Sequence, residues 1–215
     1  MKPFLYLLVV VMFVSIAVSG FDQARASDAH YDIVQIKTDN GNESSAAYFD
    51  GKNGQVVIFV PGAVFDKESW YFLAEGLQQK GVACLALDGK TPDIVLSAIN
   101  YLKEKGFKKI GLVGGSMGGA AVLNALDQTT DATINKVIAL APAGGGPIKS
   151  QQINKLFIVA KEDPLGLFPT VKSLYESSSD PKKFVAIEGA EHAQHIFKSS
   201  HKEELSKLIV DFITH

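Results

Sequence analysis

Lys109-Ile110-Gly111-Leu112-Val113-Gly114-Gly115-Ser116-Met117-Gly118-Gly119-Ala120-Ala121-Val122-Leu123-Asn124-Ala125-Leu126 decides the fold of this chain. It opens on a mostly apolar, strand-like run and closes on a helix-like one. Between them stands G-x-S-x-G, which in a strand–turn–helix context is a nucleophile elbow. Such a turn forces the serine backbone into strain, so its neighbours must be small. Gly114 and Gly118 let strand and helix pass closely. The Ser116 hydroxyl then stands exposed at the helix start, and the Met117 N–H points where an oxyanion would form.

A serine hydroxyl is a poor nucleophile at neutral pH and needs a base, which needs an orienting acid. In this context they follow in the order Ser, acid, His. Leu156-Phe157-Ile158-Val159-Ala160 reads as a buried parallel strand and ends in Lys161-Glu162-Asp163-Pro164. An acid just past a strand's carboxyl end lies on the functional edge of an open α/β sheet. Asp163 is the expected acid, with Glu162 as the alternative. The strand-like Lys183-Phe184-Val185-Ala186-Ile187 leads into Glu188-Gly189-Ala190-Glu191-His192. His192 is the expected base. Its rival, His195, falls within or beside a short following helix. The strand Gln55–Val60 precedes Pro61-Gly62-Ala63-Val64-Phe65. That loop is expected to supply a second oxyanion donor, the N–H of Ala63 or, alternatively, of Val64.

These residues carry a resemblance to the α/β-hydrolase superfamily over nearly the whole chain after its leader. The Ser116 elbow, Asp163 after the penultimate strand and His192 in a Gly-Ala-x-His loop resemble the family pattern. So does Pro61-Gly62 followed by Trp70, although Pro61 stands where many members have histidine. The elbow flank Gly-Gly-Ser-Met-Gly-Gly resembles small bacterial esterases and dienelactone-hydrolase-like proteins. The resemblance implies an α/β fold with a mostly parallel sheet of about eight strands and helices on both faces. It also implies a Ser-His-Asp hydrolase of small carboxylic esters working through an acyl-enzyme. The same triad serves thioesterases, acyltransferases and peptidases. A reading of another class is an exported binding protein with a vestigial triad.

The remaining pattern agrees with alternating β and α units in one domain. Ile33–Thr38 and Ser45–Phe49 alternate as a hairpin around Asp39-Asn40-Gly41-Asn42. Strands are expected at 55–60, 82–87, 109–113, 136–141, 156–160 and 183–187. Helices are expected near 69–80, 92–105 and after the elbow, and a last amphipathic one carries Leu205, Leu208, Ile209, Phe212 and Ile213 on one face. Lid domains of the resembled superfamily are usually inserted after the strand at 136–141. Here only residues 142 to about 155 are available, so no cap is expected. Leu165 and Phe168, with Leu167 between them, are candidates for one wall of an acyl pocket, Phe65 and Trp70 for another.

The first residues read as an address. Lys2, an apolar Phe4–Val18 and Ala24-Arg25-Ala26 predict a signal peptide over 1–26, cleaved to leave a domain over 27–215 that is exported to the periplasm or secreted. Membrane attachment is expected only if the leader stays uncleaved. The single cysteine, Cys84, lies in an apolar strand and reads as an inert core thiol. Arg25 is the only arginine, and the formal net charge is −2. A domain without arginine forks and with a mildly acidic balance disfavours nucleic acid as a partner. The expected partner is a small-molecule ester. No metal-ligand spacing is present, and neither metal nor cofactor is implied.

Overall fold

A computed structural model describes residues 30–215. The expected signal peptide lies outside the described residues. No helix among those described is long and apolar enough to cross a membrane.

Eight strands form one sheet: β1 (Tyr31–Lys37), β2 (Glu43–Phe49), β3 (Gln55–Val60), β4 (Ala83–Leu87), β5 (Lys109–Gly115), β6 (Ile134–Leu140), β7 (Asn154–Ala160) and β8 (Lys182–Ile187). Their spatial order is β1-β2-β4-β3-β5-β6-β7-β8. The β1–β2 hairpin and the β2–β4 pair are antiparallel, and every other pair is parallel. Five helices connect or flank them: α1 (Tyr71–Gln78), α2 (Pro92–Glu104), α3 (Met117–Leu126), α4 (Phe168–Ser177) and α5 (Lys202–Thr214).

Handedness fixes the layers. A right-handed crossover puts its helix on a face set by the direction of travel across the sheet. The chain steps one way from β3 through α1 to β4, then reverses from β4 through α2 to β5. So α1 and α2 cover opposite faces. The continuing steps put α3 and α4 on the face of α2, while α5 returns to pack on α1. Covered on both sides, β4 is buried throughout and β3, β6 and β7 nearly so, which is why their sequences are continuous apolar runs rather than alternating ones. Cys84 lies in this core, where burial pushes its thiol well above the ordinary range.

Two features differ from the sequence expectation. Helix α4 was not expected: it begins on Phe168-Pro169 and buries only Val171 and Leu174, too narrow an apolar face to stand out in the sequence. The strand expected at 136–141 is displaced to Ile134–Leu140, because Ala141 already turns away with φ 43°. The connection 141–153 contains no helix or strand, so nothing caps the sheet edge there.

The reversal at β3 separates the loop after β3 from the loop after β5. In open α/β sheets such a switch point, at the carboxyl ends of the strands, is where ligands bind. The two loops are pressed together by glycine. A Cβ on Gly118 would stand 2.2 Å from the Val60 carbonyl oxygen, and one on Gly114 2.5 Å from the Gly118 oxygen. Both obstacles are backbone and cannot move aside. Gly76, inside α1, has open space around its Cβ position. Gly118→Ala is therefore expected to destabilise the fold by about 3 kcal/mol or more, and Gly76→Ala to stabilise it by about 0.5–1 kcal/mol. Thermal unfolding of the two variants checks the opposite signs.

Candidate active site

Ser116 ends the tight turn between β5 and α3. Its φ of 51° and ψ of −116° are unusual for a residue with a Cβ and cost on the order of 1–3 kcal/mol. The conformation is held by neighbours on both sides: the Ser116 N–H donates to Leu140 O at 2.9 Å, and the Ser116 carbonyl accepts from Ala120 and Ala143, each at 3.0 Å. The side chain is thereby lifted off the sheet edge.

The three expected residues meet there although 76 positions separate Ser116 from His192 and 29 separate His192 from Asp163. His192 Nε2 lies 2.7 Å from Ser116 Oγ, and His192 Nδ1 lies 2.7 Å from Asp163 Oδ2. A carboxylate only accepts, so Nδ1 carries the proton and Nε2 is left to accept the serine hydroxyl. Asp163 is fixed as well. Its Oδ1 accepts the Leu165 N–H at 3.0 Å, and its side chain is fully buried. No lysine or arginine pairs with it among the described residues; its other oxygen is met by the His192 Nδ1–H. Glu162, the alternative acid, points to solvent, and its N–H donates to Gly189 O at 3.1 Å. His195, the rival base, is exposed in the short 3-10 turn Ala193–Lys198, its ring 4.9 Å from that of Phe65.

The loop after β3 lies beside the serine. Gly62 N–H donates to Gln194 Oε1 at 2.7 Å, and Phe65 N–H to Gly62 O at 3.1 Å. Among the described hydrogen bonds, the N–H groups of Ala63, Val64 and Met117 have no partner. The far end of the loop is tied down by Asp88, which accepts the Lys67 N–H at 3.0 Å and the Lys67 ammonium at 2.7 Å. That hydrogen bond holds the Lys67 pKa above its ordinary value.

A cleft of about 320 Å³ opens over the serine, with walls from Ala63, Val64, Phe65, Pro164, Leu165 and Ala193. Phe65 and Leu165 thus stand where the sequence suggested. Trp70 and Phe168 do not. Trp70 is fully buried, stacked on Phe59 with ring centroids 5.3 Å apart. Phe168 turns to Phe184, edge to face at 5.8 Å. Both are large aromatics near the site in sequence, and packing under the sheet edge claimed them.

No family model and no curated protein matches the chain. Solved structures do. A dienelactone hydrolase from Anabaena variabilis superposes with a TM-score of 0.72 at 20% identity, over 86% of this chain and 97% of that one. An esterase from Pyrococcus furiosus gives 0.70 at 17%, over 86% and 90%. An esterase from Exiguobacterium antarcticum gives 0.68 at 12%, over 85% and 99%. The chain has the α/β-hydrolase fold. In this chain the glycine-flanked serine, the loop after β3 and the loops after β7 and β8 converge on one edge, with no helix or strand inserted over residues 141–153.

One residue escaped the sequence reading. Gln194 is buried between the elbow and the loop after β3. A lone glutamine in a polar loop carries no signal in a single sequence, because its value lies in partners far along the chain.

Asp163→Asn keeps the shape of the acid but lets the imidazole take the wrong tautomer. It is expected to slow labelling of Ser116 by a fluorophosphonate about 10³- to 10⁴-fold, while Glu162→Gln leaves labelling within about twofold, as befits an exposed side chain. The opposite ranking would transfer the role to Glu162.

Proposed function

We propose that the chain is a serine hydrolase of small, uncharged carboxylic esters. The observation that carries this reading is the continuous hydrogen-bonded line from Ser116 Oγ through the His192 ring to buried Asp163, both links at 2.7 Å. In the proposed reaction His192 takes the Ser116 proton as the oxygen attacks the ester carbonyl. Asp163 stabilises the imidazolium, and the N–H groups of Met117 and Ala63 receive the oxyanion. The protonated alcohol leaves, and water activated by His192 releases the acid. The known activities of dissimilar chains on this fold, dienelactone hydrolase and esterases among them, agree with the reading.

The cleft supports the substrate class. Its volume is at the small end for ligand pockets, and no lysine lines it. A carboxylate on the acyl or alcohol side would meet no lysine or arginine in these walls, whose ionisable members are His192 and His195, with Lys198 Nζ 5.4 Å from the Phe65 ring. Five large apolar side chains of the described residues are exposed: Tyr31, Ile33, Val64, Met117 and Leu165. The last three surround Ser116. Apolar groups gathered at a rim point to an apolar ligand. We assign the acyl chain to the Phe65–Leu165 walls. The expected leader, with its A-x-A site, supports action outside the cytoplasm.

A fluorophosphonate probe followed by peptide mass spectrometry tests the site. The expected adduct falls on Ser116 and disappears in Ser116→Ala and His192→Ala. With labelling established, p-nitrophenyl butyrate should exceed its carboxylate-bearing succinate counterpart in kcat/KM by at least about tenfold, the scale on which such pockets discriminate. Matching thioester and amide substrates separate esterase from thioesterase and peptidase. No adduct on the folded protein would overturn the proposal and favour a binding protein.

A further inference from the structure

The amide of Gln194 is used at both ends. Its Oε1 accepts Gly62 N–H at 2.7 Å, and its Nε2 donates to Ser69 Oγ at 2.6 Å. Ser69 Oγ donates onward to the Asp66 carbonyl at 2.5 Å. Gly62 N–H can only donate, so the orientation of the amide is settled: oxygen towards Gly62, nitrogen towards Ser69. The side chain is 2% exposed. Left unpaired at that burial it would be costly, so the network holds as a unit.

The same oxygen fills the space beside the nucleophile turn. A Cβ on Gly115 would stand 2.8 Å from Gln194 Oε1, and one on Gly62 3.1 Å. One side chain therefore touches the loop after β3 and the residue before Ser116, and it belongs to the segment that carries His192. Ala193, between His192 and Gln194, has φ 46°. That turn sends the His192 and Gln194 side chains to different neighbours, one to Ser116 and one to Gly62.

Pro61-Gly62-Ala63 has little intrinsic rigidity at Gly62. Its far end is anchored separately by Asp88 through Lys67. Its near end has the Gln194 bond. By occupying Gly62 N–H, Gln194 fixes the Pro61–Gly62 peptide plane; the Gly62 carbonyl, which accepts the Phe65 N–H at 3.1 Å, holds the next plane, the one that carries the Ala63 N–H.

We propose that Gln194 is a positioning residue: it aims the Ala63 N–H at the developing oxyanion and keeps that loop in register with Ser116 and His192. The proposal rests on the serine-hydrolase reading above. It predicts an effect on transition-state stabilisation rather than on substrate binding, because Gln194 is shielded from the cleft by Gly62 and Gly115.

The test is steady-state kinetics on p-nitrophenyl butyrate with Gln194→Met, which keeps length and bulk but removes the acceptor, and with Ser69→Ala, which removes only the distal anchor. Inhibition by n-butylboronic acid, which forms a tetrahedral adduct, is measured beside it. For Gln194→Met, kcat is expected to fall about 30- to 100-fold, the scale of a mis-aimed oxyanion donor. KM should stay within about threefold, and boronate affinity should fall with kcat. For Ser69→Ala, kcat is expected to fall about three- to tenfold at similar KM. A folded Gln194→Met with kcat within threefold of the parent, or a loss expressed in KM alone, overturns the proposal. If Gln194→Met does not fold, an unchanged kcat in Ser69→Ala overturns it and the expected fall supports it. A parent chain that neither hydrolyses the ester nor takes the fluorophosphonate overturns the serine-hydrolase reading itself, and the positioning role with it. An active parent with an indifferent Gln194 overturns only the positioning role.

Discussion

The contact between Gly118 and the end of β3 governs the rest of this structure. A helix whose first turn sits against the Val60 and Pro61 carbonyls, with Gly114 touching Gly118 from the other side, leaves no room for a side chain. The serine between them has no alternative to a positive φ. Because β3 and β5 are neighbours at the point where the strand order reverses, the same contact brings the loop after β3 next to Ser116. Closeness of backbone, strain at one residue and adjacency of two loops are thus a single constraint.

The electrostatics follow from burial. Asp163 is fully enclosed, and its two oxygens are taken by the Leu165 N–H and the His192 Nδ1–H. Both donors lie within the site, so the acid orients the base and the base satisfies the acid. An arginine beside Asp163 would have competed for the oxygen that the imidazole uses. The described residues contain no arginine at all; of the lysines near the site, Lys67 pairs with Asp88 and Lys161 with exposed Glu188, while Lys198 lies over the Phe65 ring.

Much of this was legible in the sequence for local reasons. Parallel strands buried on both faces are written as uninterrupted apolar runs, and β3, β5 and β7 were readable to within a few residues. Ser116 and Asp163 follow such runs, and His192 follows β8, a partly buried edge strand still marked by the apolar Phe184–Ile187, so their placement on one sheet edge could be derived from strand ends alone. What failed was long-range or marginal. Helix α4 rests on two buried residues. Trp70 and Phe168 sit close in sequence to the cleft, but their direction depends on Phe59 and Phe184, which no local pattern reveals. Gln194 depends on Gly62, 132 positions away. Periodicity records which face a residue occupies; it does not record what that residue meets across a fold.

Strain bears on whether the site is a relic. Three residues with side chains adopt positive φ among those described: Ser116, Ala141 and Ala193. All three lie at the carboxyl edge of the sheet, where the Ser116 turn, the Leu140–Pro142 turn and the segment after His192 converge. Each costs about 1–3 kcal/mol, a large share of the stability of an ordinary domain, and the single cysteine excludes an intrachain disulfide that could offset it. A scaffold kept only for binding would gain by relaxing these positions to glycine, which tolerates the same angles without a Cβ. Their conjunction with a buried acid, an oriented imidazole and the unpartnered Met117 N–H at the start of α3 supports the acyl-transfer site proposed above over a binding scaffold.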